Sequence, residues 1–197
     1  MKQFLLVVLL AFIGWFVFFK QTHVSYGPGV FAPDSPEQQE VDSADSFTVD
    51  GYSITPLADF KIEAKALSIK SYRSGRESDL SPVDFAFGWG RMSDESVLDN
   101  LEISQSGRWY RWRAEQLPIP RREIETHSAN MHLIPDSRAT HSAIKKARPG
   151  DIVEINGSLV KVEANDGWKW ISSLTRNDTG RRACELIWVE DFQIKEL

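Results

Sequence analysis

The feature that most constrains this chain is an uncharged, strongly apolar run near its N-terminus. Residues 4–19 contain no charged side chain and are flanked by Lys2 and Lys20. Sixteen residues of α-helix span about 24 Å, slightly less than the hydrocarbon core of a bilayer, and flanking lysines can reach beyond the ends of such a helix. The run therefore predicts a single transmembrane helix.

A cleaved signal peptide is the main alternative to an anchor. Its apolar region is usually shorter, about 7–15 residues, and a small-residue cleavage site follows it. The residues directly after position 19 offer no such site, and the small residue Ala32 is distant and precedes Pro33. We therefore expect an uncleaved signal-anchor over residues 1–20. Its short basic head favours the cytoplasm, which places the rest of this single-pass chain on the periplasmic side of the cell inner membrane.

The remaining chain divides into a tether and one domain. Residues 21–46 are rich in glycine, proline, serine and acidic residues, which predicts a flexible tether. Residues 47–197 have the composition of one folded domain. The chain has 28 acids and 23 bases, and five of the acids but only two of the bases lie in residues 1–46, so the domain is nearly neutral. A nucleic-acid partner is therefore not favoured.

Alternating apolar and polar residues predict the strands of the domain. These strands are expected at 60–70, 108–113, 151–163 and 184–194. Helix start and stop signals predict three helices, at 81–88, from residue 93 onward, and at 136–147. The single cysteine, Cys184, falls within a strand-like run and is expected to be a buried structural thiol.

Two segments near the C-terminus carry a resemblance to a known fold. Arg-Pro-Gly-Asp-Ile-Val-Glu-Ile-Asn-Gly at 148–157 and Ile-Trp-Val-Glu-Asp-Phe-Gln-Ile at 187–194 follow a long strand and a helix. This strand order, with a glycine-bent strand, resembles the layout of OB-fold barrels. The resemblance covers about the last third of the chain. It implies an α+β, β-rich fold over residues 47–197: a single OB-like, partly open β-barrel with short helices inserted.

Two further segments, at 88–94 and 127–135, are similar to uncharacterised bacterial membrane-anchored proteins. That similarity implies no activity.

The candidate catalytic residues are concentrated in the segment 127–132. They are His127, Asn130 and His132, together with Asp84. Histidine can act as an acid, a base or a metal ligand near neutral pH. However, the two histidines lie five residues apart and no glutamate follows the first, so the zinc motif is not matched and no metal or cofactor is assigned. Alternatively, these side chains satisfy backbone groups of a loop.

Two aromatic and basic segments are candidates for ligand binding. Trp89 lies between two glycines and is followed by Arg91, which suits a stacking platform for a planar ligand. In the strand 108–113, arginines alternate with aromatic residues, which suits an anionic ligand. The candidate residues there are Arg108, Arg111 and Arg113. The alternatives are a core tryptophan at a helix end, and arginines that extend from a sheet into solvent.

Several enzyme signatures are absent from the sequence. It contains no P-loop, dinucleotide-binding glycine motif, nucleophile elbow, C-x-x-C motif or calcium loop. We therefore expect a membrane-anchored extracytoplasmic binding or interaction module, and whether it is also an enzyme stays uncertain, with the balance against. Its partner would be a protein or an anionic ligand. The alternative is an enzyme of unknown reaction that uses the segment from His127 to His132.

Overall fold

The computed structural model describes residues 23–42, 44–175 and 184–197. Within these ranges the chain is β-rich, with ten strands and four short α-helices. The strands are β1 (Glu37–Glu40), β2 (Phe47–Val49), β3 (Tyr52–Ser71), β4 (Val83–Gly88), β5 (Glu102–Ser106), β6 (Trp109–Arg113), β7 (Ser128–Pro135), β8 (Ile152–Ala164), β9 (Lys169–Ile171) and β10 (Glu185–Ile194). The helices are α1 (Arg76–Leu80), α2 (Glu95–Leu98), α3 (Arg121–Thr126) and α4 (Arg138–Ile144), with a 3-10 helix at Gly90–Ser93.

The predicted transmembrane run, residues 4–19, lies outside the described residues. Among the residues that are described, no helix combines the length and the apolar character needed to cross a bilayer.

The long strand β3 organises the main sheet. It pairs with β8 from Tyr52 to Lys65 and with β4 from Lys65 to Ser71. Strand β4 pairs with β7, β7 runs parallel to β10, and β10 pairs with β8. Because β8 returns to β3, these five strands form a closed circuit of pairing in one mixed sheet. Strands β1, β2 and β9 extend this sheet, while β5 and β6 form a separate hairpin.

Each strand of the circuit contributes alternate apolar residues to one interior cluster, because side chains point to opposite faces along a strand. The members include Phe60, Ile62, Phe85, Phe87, Met131, Leu133, Ile155, Leu159, Ile187 and Val189. A second apolar cluster occupies the other face and includes Ile54, Ile134, Val160, Val162 and Leu186. The sequence predicts a bend at Gly157, and there the carbonyl of Trp188 approaches so closely that a Cβ would lie 1.9 Å from it.

The helix predicted at 81–88 is wrong, because Val83–Gly88 forms the buried strand β4. The Ser-Pro-Val-Asp start resembles a helix cap. However, β4 pairs with β3 on one side and β7 on the other. This two-sided pairing and the burial of all six residues outweigh the local cap signal.

The other two helix predictions hold with smaller changes. Helix α2 follows Asp94, whose side chain accepts a hydrogen bond from the amide of Ser96. Helix α4 is shorter than predicted, and Ser137 rather than Asp136 is its N-cap.

The described N-terminal part of the segment predicted as a tether packs on the domain. We call residues 23–32 the strap. The amide of Val24 donates to the carbonyl of Pro149 at 2.8 Å, and Ala32 is fully buried. Farther along, β1 pairs with β3. The glycines and prolines of this region therefore shape a bound segment.

A buried ion pair holds the strap in place. The ammonium of Lys65, which has no exposed surface, lies 2.7 Å from a carboxylate oxygen of Glu95. Glu95 also accepts hydrogen bonds from the hydroxyl of Ser25 at 2.6 Å and the amide of Tyr26 at 2.9 Å. Because a buried ammonium is costly without a partner, Glu95 stabilises both Lys65 and the strap.

The pKa of Glu95 predicts how this pair responds to acid. Burial raises the pKa, but the hydrogen bonds from Lys65, Ser25 and the Tyr26 amide outweigh it and lower the pKa from 4.5 to about 2. A carboxyl group whose pKa is lower in the folded state stabilises the fold above its unfolded pKa. This stabilisation is lost as the pH falls from 4.5 towards about 2.

We expect Glu95→Gln to lower the free energy of unfolding by on the order of 3 kcal/mol at neutral pH, and to flatten the loss of stability in that acid range. Urea denaturation of the wild-type chain and the variant across this pH range measures both effects. Glu190→Gln, at an exposed glutamate, is the control. Identical acid dependence in wild type and Glu95→Gln would contradict the assignment.

Candidate functional site

Strands β4 and β7 present a polar surface on the side opposite the core. Asp84 is paired with His132, and Ala86 with Asn130. Their chain neighbours, such as Phe85, belong to the interior cluster, so alternation directs these four residues outward. The hairpin formed by β5 and β6 contacts this outer surface and buries most of its polar groups.

The turn of the hairpin is fixed by Arg108. Its guanidinium lies 2.6 Å from Oδ1 of Asp84 and donates to the carbonyl of Ser81 at 2.9 Å. The guanidinium carbon also lies 4.0 Å from the ring centre of Tyr72, whose hydroxyl accepts the Arg108 amide at 3.0 Å. Arg108 has a φ of +67°, a conformation that is uncommon for a residue other than glycine and that persists where the surroundings determine it. We call the Arg108–Asp84 contact the clamp.

Side-chain hydrogen bonds continue from the clamp along the hairpin. The Gln105 amide donates to Oδ1 of Asn130 at 2.7 Å, and the Asn130 amide donates to the carbonyl of Arg108 at 3.3 Å. The hydroxyl of Tyr110 donates to that of Ser128 at 3.3 Å. Burial raises the pKa of Tyr110 to about 12, so this phenol is neutral at physiological pH. These contacts hold the hairpin against β7 along its length.

His132 belongs to the clamp and is almost fully buried. Its Nδ1 lies 2.9 Å from Oδ1 of Asp84, an ion-pair distance, although the angle is not that of a hydrogen bond. The ring of Trp170 packs on the imidazole with 4.9 Å between ring centres. The second oxygen of Asp84, Oδ2, is buried and has no hydrogen-bond partner among the described residues. Asp84, Arg108 and His132 thus form a buried polar cluster beneath the hairpin.

A cavity of about 640 Å³ lies between the hairpin, α3 and the first residues of β7 and β10. This volume is within the range of small-molecule sites. Its walls are mainly aromatic and basic, with a polar base. The principal lining residues are Trp89, Trp109, Tyr110, Trp112, Arg111, Arg113, Arg121, Ser128, Asn130 and Glu185.

Two of the three described arginines that line the cavity have carboxylate partners. Arg113 pairs with Glu102, and Arg121 pairs with Glu125 at 3.2 Å. Arg111 forms no ion pair with any described residue, and its guanidinium donates only to the hydroxyl and carbonyl of Ser106. Among the described arginines of the lining, Arg111 is therefore the one that is available to an anionic group.

The tryptophans of the cavity wall also differ in whether they have a partner. Trp112 packs beneath Arg121, with 5.0 Å between the guanidinium carbon and the ring centre. Trp109 makes no ring–ring or cation–π contact with a described residue and is only half-buried. Trp109 and Arg111 are two residues apart on β6 and so share a face. The cavity therefore presents an available indole beside an available guanidinium.

The cavity brings together only some of the residues proposed from sequence. Those that line it are Trp89, Asn130, Arg111 and Arg113. Those that do not are Asp84, Arg91, Arg108, His127 and His132.

Trp89, for which the sequence suggests either a stacking platform or a core tryptophan at a helix end, is a buried member of the interior cluster and also lines the cavity. Arg91 forms an ion pair with Glu123.

The polar segment at 127–132 is mostly strand and does not form one site. His127 ends α3, its ring packing near Trp89 with 6.3 Å between ring centres, whereas Ser128–Pro135 forms β7. His132 belongs to the clamp. Among the residues that the structure describes, no three histidine, cysteine, aspartate or glutamate side chains are grouped to hold a metal ion.

Sequence reasoning missed Glu185 at the base of the cavity. This glutamate is 1% exposed and begins β10. An acidic residue at the start of an apolar strand is the signal that could have identified it. The adjacent Cys184 is half-buried and lines the cavity, so it is more accessible than the buried structural thiol that the sequence predicts.

Comparisons with protein-family models, with curated proteins and with solved structures each gave no match to this chain.

The clamp predicts a strong energetic coupling between substitutions at Arg108 and at Asp84. We expect Arg108→Asn, which keeps a residue tolerant of positive φ but removes the cation, to lower the free energy of unfolding by about 3–5 kcal/mol. Combining it with Asp84→Asn should cost less than the sum of the two single substitutions, because the buried carboxylate is then absent. Chemical denaturation of the four proteins gives the coupling energy. Arg111→Asn on the same hairpin is the control and should have little effect, and additive costs at Asp84 and Arg108 would exclude the clamp.

Proposed function

We propose that this chain is a membrane-anchored binding module that holds a planar anionic ligand in the cavity beneath the β5–β6 hairpin. The observation that carries the proposal is the pair formed by Trp109 and Arg111. An indole face binds planar groups, and a guanidinium without a carboxylate partner binds carboxylate, sulfonate or phosphate groups. Of the three arginines described around the cavity, Arg113 and Arg121 have carboxylate partners and Arg111 does not, so Arg111 favours an anionic ligand.

The strand order supports an OB-like barrel as the scaffold. Numbered in sequence order, β3, β4, β7, β8 and β10 are the first to fifth strands of the closed circuit, and their spatial order is first, second, third, fifth, fourth. Helix α4 lies between the third and the fourth. OB-type barrels bind ligands across their second and third strands. Here those strands are β4 and β7, and the hairpin inserted between them in sequence covers that face.

The placement of the module rests on the N-terminal sequence. Residues 4–19 are the proposed single transmembrane helix, with the domain on the periplasmic side of the inner membrane. The nearly neutral domain favours a small anionic ligand or an acidic group on a protein partner over nucleic acid.

Binding is favoured over the enzyme alternative by the positions of the histidines. Neither His127 nor His132 lines the cavity, and His132 is committed to Asp84. The polar groups at the base of the cavity, Ser128, Asn130 and Glu185, suit ligand orientation.

A soluble planar polyanion tests the proposal directly. The full chain is placed in nanodiscs of zwitterionic lipid and titrated with 1,3,6,8-pyrenetetrasulfonate, with tryptophan fluorescence as the readout. Three of the seven tryptophans line the cavity, so binding should quench the emission. We expect Arg111→Ala to weaken binding by roughly tenfold or more, because a hydrogen bond to a charged group contributes about 1.5–3 kcal/mol. Trp109→Ala should weaken it by a similar factor through lost stacking.

Matched controls separate the cavity from the rest of the surface. Arg73→Ala removes an exposed arginine outside the cavity, and Trp168→Ala removes a tryptophan of the second apolar cluster. Both should leave the affinity within about twofold of wild type, a difference of less than 0.5 kcal/mol. The proposal is wrong if the polyanion fails to bind, or if the control variants weaken binding as much as the cavity variants do.

A further inference from the structure

The strap fixes the place where the chain enters the domain. Val24 donates its amide to Pro149, and Gly150 lies against the Val24 backbone. A Cβ at position 150 would be 1.8 Å from the Val24 carbonyl oxygen, and Gly150 has a φ of +96°. The turn at residues 148–150 is thus in direct contact with the first residues that the structure describes. The Lys65–Glu95 pair keeps this entry point fixed.

The same turn ends a basic segment. Lys145, Lys146 and Arg148 are exposed, and residues 138–148 contain four basic residues and no acidic one. Neither Lys145 nor Lys146 forms an ion pair with a described residue. Arg148 lies 3.5 Å from the buried carboxylate of Asp151 while its own side chain is 52% exposed. We call these three residues the basic turn.

Few residues separate the basic turn from the proposed anchor. Only residues 20–23 lie between the apolar run and Val24. The five steps from Phe19 to Val24 span at most about 18 Å when extended, so the entry point cannot move farther than that from the end of the anchor. The charges of anionic headgroups act over a Debye length of about 8 Å at physiological salt. The basic turn is therefore restricted to the neighbourhood of the bilayer surface.

We propose that Lys145, Lys146 and Arg148 dock the domain on the anionic phospholipid headgroups of the bilayer. The inference rests on the proposed anchor at residues 4–19. Under this proposal the domain is held against the membrane in a set orientation and does not swing on a long tether. Lipid is the favoured occupant because the short connection delivers these cations to the headgroups, which carry the complementary charge. The exposed acid Asp99 lines a neighbouring cleft with His23 and lies outside the basic turn.

Paramagnetic relaxation in nanodiscs tests the docking on the full chain. A spin label on a lipid headgroup broadens the amide resonances of residues that approach the bilayer. We expect the strongest broadening at residues 24–27 and 145–150. We also expect it to become roughly twofold larger when phosphatidylglycerol is added to phosphatidylcholine. Uniform broadening across the domain, or none greater at 145–150 than at the β8–β9 turn at 165–168, would overturn the proposal.

Charge reversal identifies the residues responsible. Lys145→Glu with Lys146→Glu should abolish the increase in resonance broadening that phosphatidylglycerol causes. The control is Lys70→Glu with Arg73→Glu, which changes the charge equally at exposed residues that form no ion pair with a described residue. It should retain the increase. Equal loss in both double variants, or binding of an acidic protein with no response to lipid charge, would contradict lipid docking.

Flotation distinguishes failure of the anchor from failure of the docking. The wild-type chain and both double variants should float with vesicles of phosphatidylcholine alone, because the apolar run holds them there. A wild-type chain that stays behind overturns the anchor and this inference together. A chain that floats but lacks enhanced broadening at 145–150 overturns the docking alone.

Discussion

The cavity depends on one buried ion pair. Asp84 has no exposed surface and is the second residue of a strand that is hydrogen-bonded on both edges. A carboxylate in that place requires a cation, and the cation comes from Arg108 at the turn of a separate hairpin. Meeting this requirement brings β6 onto the outer face of β7, which creates the cavity wall and positions Trp109 and Arg111. The same physical rule operates at Lys65, whose need for Glu95 fixes the strap and the entry point of the chain.

Strands could be predicted where the pattern of apolar residues within their own sequence is sufficient to identify them. The strands at 108–113, 151–163 and 184–194 are present within one or two residues, because the apolar and aromatic residues that mark each strand lie within its own short run of sequence. Strand β4 was not predictable from its own residues, since its start carries helix-capping signals and its burial comes from partners far away in sequence. The strap was also missed. Glycine and proline mark it as irregular, but the acid that binds it, Glu95, lies about seventy residues later.

The sequence predicts which residues are unusual enough to form a site, but it does not predict the role of each residue. The sequence selects arginines, aromatics, histidines and Asp84 as unusual, and the structure places most of them on one side of the sheet. Which of them remain available depends on partners. Arg108 and His132 lie against Asp84, whereas Arg111, on the same hairpin as Arg108, forms no ion pair with a residue that the structure describes. Sequence spacing carries no information on that pairing, because it is decided by how the hairpin lies on β4 and β7.

The nuclear magnetic resonance signals of the Arg108 guanidinium test the central claim most directly. If Arg108 holds the hairpin through Asp84, its terminal N–H protons should be separately resolved, rotate slowly, and show nuclear Overhauser contacts to the ring of Tyr72, which lies 4.0 Å away. A single averaged signal without those contacts, in a chain whose other resonances are those of a folded domain, would contradict the clamp and the cavity that depends on it.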